Sequence, residues 1–207
     1  MRGFSIAGIG TDVGKTIASA ILVESLDGCY FKPIQSGDLE FSDSIKVRNL
    51  CSNQIEIAPE IYKLSEPVSP HKAAEIDNVS IELSEIKLPN TNRPLILEGA
   101  GGILVPINNR GETMLDLYKQ AGLPVILVSH TYLGSINHTL LSIEVLQLHQ
   151  LKIAGIIYNG EYSEHTESII DRKTSIKNLG RIPFSKDVNK SFIQEQAQAF
   201  KHLYYEL

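Results

Sequence analysis

Five short and almost unbroken apolar runs divide the chain: Phe4 to Ile9, Cys29 to Phe31, Leu95 to Leu97, Val125 to Val128 and Ile153 to Tyr158, with a weaker sixth near Leu179 to Ile182. Helix-like stretches lie between them, at Lys15 to Leu26, Ser42 to Leu50, Ile81 to Ile86, Thr113 to Ala121, Ile136 to Gln150 and Thr166 to Asp171, with a last one from about Lys190 to Tyr205. A run that is apolar throughout, rather than at alternate positions, suits a strand covered on both faces. Strands that alternate with helices pair side by side through right-handed crossovers. The pattern predicts an α/β fold: a mostly parallel sheet flanked by helices on both faces. A chain of 207 residues buries roughly 70% of its unfolded surface, enough for one core without disulfides or metal. Residues 1–207 therefore read as a single domain.

The least regular region is 52–91, which holds Pro59, Pro67, Pro70 and Pro89. Its one clear helical pattern is short. It reads as an ordered excursion over one edge of the sheet, because Ile55, Ile57, Ile61, Leu64 and Val68 give it apolar side chains to pack.

Charge removes several classes of function. With 19 Lys+Arg against 24 Asp+Glu the net charge is −5, so the chain as a whole carries no basic footprint for nucleic acid. Its two cysteines, Cys29 and Cys51, form no CxxC pair and read as buried thiols in a reducing compartment. The start has no signal-peptide pattern, and no apolar run approaches the roughly 20 residues that span a membrane. The expectation is a soluble cytoplasmic protein with neither nucleic acid nor membrane as partner. Six histidines show no HExxH spacing, and no GxSxG elbow is present.

What remains is chemistry with phosphate. Gly8-Ile9-Gly10-Thr11-Asp12-Val13-Gly14-Lys15-Thr16 follows the first apolar run and opens an amphipathic stretch, which is the context of a P-loop. Glycines let the backbone curl until successive N–H groups face phosphate oxygens, and the helix start adds partial positive charge. Lys15 would bridge the β- and γ-phosphates, and the Thr16 hydroxyl would reach Mg²⁺. The spacing departs from GxxxxGK[ST], which needs glycine where this chain has Ile9.

Ends of parallel strands face the ligand crevice. The second run ends in Phe31-Lys32-Pro33-Ile34-Gln35-Ser36-Gly37, which brings a second cation to that rim. Alone, Lys32 reads equally as a solvated edge lysine; the turn residues Pro33 and Gly37 favour a functional role. The third run delivers Glu98, followed by Gly99-Ala100-Gly101-Gly102. A carboxylate closing a strand resembles a Walker-B metal ligand, although Asp is usual there. Asp43 follows Ser42 at a helix start, where capping or dipole compensation is the favoured local reading. Mg²⁺ between phosphates takes one or two carboxylates plus hydroxyl and water, and Thr16, Asp43 and Glu98 would make such a set.

Taken in order, these motifs resemble those of the dethiobiotin synthetase family. Thr11 to Thr16 is similar to that family's modified phosphate loop, Lys32 to Gly37 to its KPxxSG, and Ser42-Asp43 to its Ser-Asp. Pro67-Val68-Ser69-Pro70-His71 is similar to its PxSPH, Glu98 to Gly102 to its EGAGG, and Leu133 to His138 to its LGxINH. Asn159 and Gly180-Arg181-Ile182-Pro183, with Phe184 next to them, fall where the family contacts adenine. The departures are Ile9 and Gly10 ahead of the loop, a short piece between Gly37 and Asp43, and Arg181 where the family often has an acidic residue.

The resemblance implies a P-loop ligase that uses ATP and Mg²⁺ to join CO₂ to 7,8-diaminopelargonic acid and close a ring. It implies that Lys32 and Lys15 act in catalysis. Thr11, Asp12, Val13, Gly14, Lys15, Thr16, Asp43, Glu98, Gly99, Ala100, Gly101, Asn159, Pro183 and Phe184 would bind ATP. Lys32, Ser36, Gly134, Ser135 and Asn137 would bind the diamine, the last three across a homodimer interface. Two other readings share the phosphate loop: a carboxylate-activating amide synthetase, which normally carries an amidotransferase domain, and a ParA/MinD-like switch. The switch would call for a basic surface or a basic terminal helix, and the last helix here is not basic.

Overall fold

A computed structural model describes residues 2–52 and 55–206. In chain order the elements are β1 (Gly3–Gly8), α1 (Lys15–Leu26), β2 (Cys29–Phe31), β3 (Ile34–Ser36), α2 (Asp43–Leu50), β4 (Glu56–Ile57), β5 (Tyr62–Leu64) and α3 (Pro70–Ile76). They continue with β6 (Leu95–Gly102), α4 (Met114–Ala121), β7 (Val125–His130), α5 (Ser135–Leu148), β8 (Ile153–Asn159), α6 (Glu164–Thr174), β9 (Asn178–Ile182) and α7 (Lys190–Phe200). Seven strands form one sheet in the order β4-β2-β6-β1-β7-β8-β9. Every neighbouring pair in it is parallel.

The apolar runs account for this order. All six residues of β1 are buried, as are Val125 to Ser129 in β7, so the central strands must be covered on both sides. The chain leaves β1 through α1 toward β2, then crosses from β6 through α4 to β7 in the opposite direction along the sheet. Right-handed crossovers in opposite directions place their helices on opposite faces. Accordingly α1 packs with α2 and α7, whereas α5 packs with α6 and β7. The reversal occurs beside β1, and a ligand crevice belongs at such a point.

Three features of the excursion and of the strand β3 that pairs with it differ from expectation. Ile81 to Ile86 is not a helix; only a single 3-10 turn forms at Leu83–Glu85, because Ile81 and Ile86 are both fully buried as anchors of an otherwise extended segment. The helix of this region lies earlier, at α3, where Ser69 precedes Pro70 in the first turn, a position at which proline's missing N–H costs nothing. Finally, β3 and β5 pair as a separate two-stranded parallel sheet, and Glu56–Ile57 adds an edge strand to the main one. Residues 53 and 54 of the excursion lie outside the described residues. The terminal helix ends at Phe200 and continues as a 3-10 segment, Lys201–Glu206.

Candidate active site

Because the strands are parallel, their C-terminal ends share one rim. Register fixes which side chains meet there. Ile6 is level with Glu98, and Phe31 with Leu97, so Lys32 arrives beside Glu98 as the chain leaves β2. The segment between β1 and α1 forms the third wall.

That segment is a P-loop in conformation as well as in sequence. Asp12 and Gly14 both take left-handed backbone, with φ of 56° and 95°. Gly14 caps α1, and a Cβ there would come within 2.2 Å of the Asn159 amide nitrogen. Asn159, at the end of β8, donates its amide N–H to the Val13 carbonyl at 3.0 Å, which ties the loop to the sheet. Val13 itself points inward and is buried. The Lys15 ammonium donates to the Gly10 carbonyl at 2.8 Å, so the lysine closes over the loop that the unusual Ile9-Gly10 spacing creates. Burial lowers the Lys15 pKa to about 8, against the pull of Glu98.

Glu98 is the hub. It is 1% exposed. Its Oε1 accepts from the Thr16 hydroxyl at 2.9 Å and from the Lys32 ammonium at 3.0 Å, and its Oε2 accepts from the Tyr30 hydroxyl at 2.9 Å. Lys32 also pairs with Asp43, whose other oxygen accepts from Lys46 at 3.3 Å. Burial opposes charge on Lys32, but the carboxylates of Glu98 and Asp43 overcome it and hold its pKa above the usual lysine value. Burial likewise opposes charge on Asp43, and Lys32 reverses this, holding the carboxyl below its ordinary value. Tyr30 is pushed well above the ordinary phenol range, by burial first and then by Glu98. Asp43 is therefore more than a helix-start acid: Ser42 takes the cap position, Asp43 reaches into the crevice, and the Asp43 N–H donates to the Gln35 side chain at 3.2 Å. The Gln35 amide in turn donates to the Gly37 carbonyl at 2.9 Å.

These groups line a cleft of about 870 Å³. Of the residues singled out in the sequence, Thr11, Asp12, Gly14, Lys15, Thr16, Lys32, Ser36, Asp43, Glu98, Ala100 and Gly101 line it together. The Ser36 hydroxyl is buried with no hydrogen-bond partner among the described residues. Gly99 lies outside the lining; a Cβ there would meet the Tyr118 hydroxyl at 1.9 Å, so this glycine makes room for the core beneath the site. Asn159, Pro183 and Phe184 stand at the ends of β8 and β9, with Phe184 61% exposed. Gly134, Ser135 and Asn137 also lie outside the lining, at the start of α5. Sequence reasoning missed Tyr30, Gln35 and Lys46. A tyrosine inside an apolar run reads as core, so only the cross-strand register reveals the contact between Tyr30 and Glu98.

Thr16, Asp43 and Glu98 offer a hydroxyl and two carboxylates, an all-oxygen set in which both carboxylates already surround one cation, the Lys32 ammonium, and the hydroxyl bonds to Glu98. Such donors fit Mg²⁺. Among the described residues no cluster of three His, Cys, Asp or Glu side chains offers a metal site.

Comparison with known proteins decides the family. A protein-family model described as an AAA domain matches residues 2–191. The ATP-dependent dethiobiotin synthetase BioD of Christiangramia forsetii is 45% identical over 97% of this chain and 96% of its own length. The chain belongs to the dethiobiotin synthetase family. The enzymes of the same name from Cytophaga hutchinsonii and Chlamydia pneumoniae are 43% and 42% identical, covering 100% and 99% of the chain and 100% and 91% of their own lengths. Among solved structures, the septum site-determining protein MinD from Pyrococcus horikoshii, complexed with Mg-ADP, superposes with a TM-score of 0.61 at 17% identity, covering 99% of this chain and 95% of MinD. A ParA family ATPase from Chlorobium tepidum gives 0.54 at 14% identity, covering 95% and 97%. At such identities the likeness is one of fold: the dethiobiotin synthetase family shares the P-loop sheet of these ATPases.

Proposed function

We propose that this chain makes dethiobiotin from 7,8-diaminopelargonic acid, CO₂ and ATP, releasing ADP and phosphate. One amine of the diamine attacks CO₂ and loses a proton, giving a carbamate. A carbamate oxygen attacks the γ-phosphorus, and the bond from the γ-phosphorus to the β,γ-bridging oxygen breaks as ADP leaves. The second amine then attacks the carbonyl carbon. The C–O bond to the phosphoryl group breaks, a proton departs, and the ring closes with release of phosphate.

Every stage moves or concentrates negative charge, and no protein nucleophile is required. The chain's task is to position reactants and hold cations where charge accumulates. The observation that carries the reading is the meeting of Lys15, Lys32, Thr16, Asp43 and Glu98 at one crevice beside a P-loop. Lys15 turns from the Gly10 carbonyl to the β- and γ-phosphates. Lys32 exchanges its carboxylate partners for the carbamate and the transferring phosphoryl group. Ser36, whose hydroxyl has no hydrogen-bond partner among the described residues, holds the diamine end. Thr16, Asp43 and Glu98 would hold Mg²⁺, which when bound would supply positive charge against the phosphates of ATP. Asn159, Pro183 and Phe184 receive the adenine, and Thr11 to Gly14 with Glu98 to Gly101 surround the phosphates.

The active unit is a two-fold homodimer. The first turn of α5 has no side-chain cap, and among the described residues the buried Ser135 hydroxyl has no partner, so the Gly134, Ser135 and Asn137 turn has donors left over for a carboxylate. Leu133, Leu141 and Leu148 are exposed on and just before the same helix, which suits burial against a second copy. This turn binds the carboxylate tail of the diamine held by the partner subunit's Lys32 and Ser36. Residues 1–207 act as one unit, a reading supported by relatives matched over nearly the whole chain. Work in the cytoplasm suits the two free, buried thiols. Among the described residues no helix is long and apolar enough to cross a membrane.

The test is direct. The purified chain given the diamine, bicarbonate and MgATP should yield dethiobiotin by mass together with ADP. Lys15→Ala should lower the rate by about 10²–10³, the usual cost of removing a charge aimed at the reacting group. Hydrolysis of ATP without dethiobiotin would contradict the reading.

A further inference from the structure

One fully buried polar group at the site lies outside the mechanism above. Tyr30 is 0% exposed and sits on β2, two residues before Lys32. Residues two apart on a strand point to the same face. Tyr30 and Lys32 thus approach Glu98 from one side, the phenol reaching Oε2 at 2.9 Å and the ammonium Oε1 at 3.0 Å. The carboxylate is divided between two environments: one oxygen is committed to a hydroxyl inside the core, and the other faces Thr16 and the cleft.

Packing alone does not ask for that hydroxyl. Phe4 and Phe31 fill comparable buried positions on β1 and β2. A phenylalanine at position 30 would bury a similar ring without the cost of desolvating an O–H. It would, however, leave Glu98 Oε2 buried with no donor, free to turn away or to draw the whole carboxylate out of line. Outer partners that orient a ligating carboxylate typically change metal affinity by 10–100-fold when removed.

We propose that Tyr30 is a positioning residue for the metal: its hydroxyl locks Glu98 so that a single oxygen, Oε1, is presented to Mg²⁺ beside Thr16 and Asp43. The proposal rests on Glu98 being a metal ligand, and the experiment separates the two ideas. Binding of a fluorescent ADP analogue is titrated against Mg²⁺ for the wild type, Tyr30→Phe, Glu98→Gln, the double variant and Tyr118→Phe, alongside kcat at limiting and saturating Mg²⁺. Tyr118 is an apt control because its buried hydroxyl donates to the Ile6 carbonyl and makes no bond to Glu98.

Tyr30→Phe should raise the Mg²⁺ concentration at half-saturation about 10-fold or more, with kcat at saturating Mg²⁺ within about twofold of wild type. Tyr118→Phe should leave the titration where it was. In the double variant Tyr30→Phe should add nothing to Glu98→Gln, since the hydroxyl acts only through that carboxylate. A shift with Glu98→Gln but none with Tyr30→Phe overturns the role of Tyr30 alone. No shift with either removes the metal assignment on which it rests. A kcat loss in Tyr30→Phe that high Mg²⁺ does not recover also overturns it. Should the phenylalanine variant not fold, 4-fluorophenylalanine placed at position 30 fills the space of the hydroxyl without donating to Glu98; an unmoved metal requirement then contradicts the proposal.

Discussion

Lys15 and Lys32 are both buried, yet their pKa values move in opposite directions, and the difference marks their tasks. Lys15 is desolvated and its ammonium donates to the Gly10 carbonyl, which in the function proposed above leaves its charge for the phosphates of ATP. Lys32 is already neutralised by Asp43 and Glu98, so in the proposed reaction it leaves that cluster to serve the carbamate. Breaking a buried pair by removing one partner typically costs about 3–5 kcal/mol, because the remaining charge is stranded. Lys32→Met should therefore melt well below the wild type in the absence of ligand, with Mg²⁺ raising the melting temperature of the variant more than that of the wild type. Calorimetry with and without Mg²⁺ checks this. Equal Mg²⁺ effects on both proteins would mean that Asp43 and Glu98 do not accept a metal in place of the ammonium. The sequence made Lys15, Thr16 and Glu98 legible because the two former close the glycine loop after β1 and the last stands between an apolar run and Gly99-Ala100-Gly101-Gly102. Asp43 was less legible, since an acid in a first helical turn has a local explanation that only tertiary contact displaces.

At the scale of elements, the central strands and their helices follow from apolar periodicity, and most boundaries fall within a few residues of the patterns; β6 instead runs on from Leu97 through Gly102, so Glu98 lies inside the strand rather than closing it. The excursion between α2 and β6 does not follow from it. The three-residue strands β3 and β5 are too short to show a period, and the β3–β5 sheet exists only because Ile34 to Ser36 and Tyr62 to Leu64 are brought together by the turns around them. The stretch from Ile81 to Ile86 reads as helix-like, but its two end residues are separate anchors under an extended segment. The glycines after Glu98 illustrate the same limit. Spacing marks them as room for a ligand, whereas Gly99 makes room for the ring of Tyr118, an element away in sequence. Gly99→Ala should destabilise the fold by about 1–3 kcal/mol, the usual cost of overpacking. Tyr118→Phe should recover part of that loss by removing the nearest clashing atom. Denaturant unfolding of the two single variants and the double measures the recovery, and strict additivity would place the clash elsewhere.

For the whole molecule, the fold alone leaves the reaction open, since a MinD protein and a ParA family ATPase share it. Assembly offers one discriminating prediction. Lys32→Ala and Asn137→Leu should each be inactive as pure dimers, while a mixture should regain activity, because a mixed dimer contains one intact composite site. Failure of the mixture to regain activity would put both halves of the site in one chain. The fate of oxygen is more decisive still. A switch ATPase sends water to the γ-phosphorus, whereas a carbamate carries its own oxygen there and leaves it behind when the ring closes. Turnover in unlabelled water with ¹⁸O-bicarbonate, sampled before exchange with solvent, should give phosphate containing one ¹⁸O atom per dethiobiotin formed. Phosphate whose new oxygen comes from water would contradict attack by the carbamate, and with it the synthetase chemistry assigned to this site.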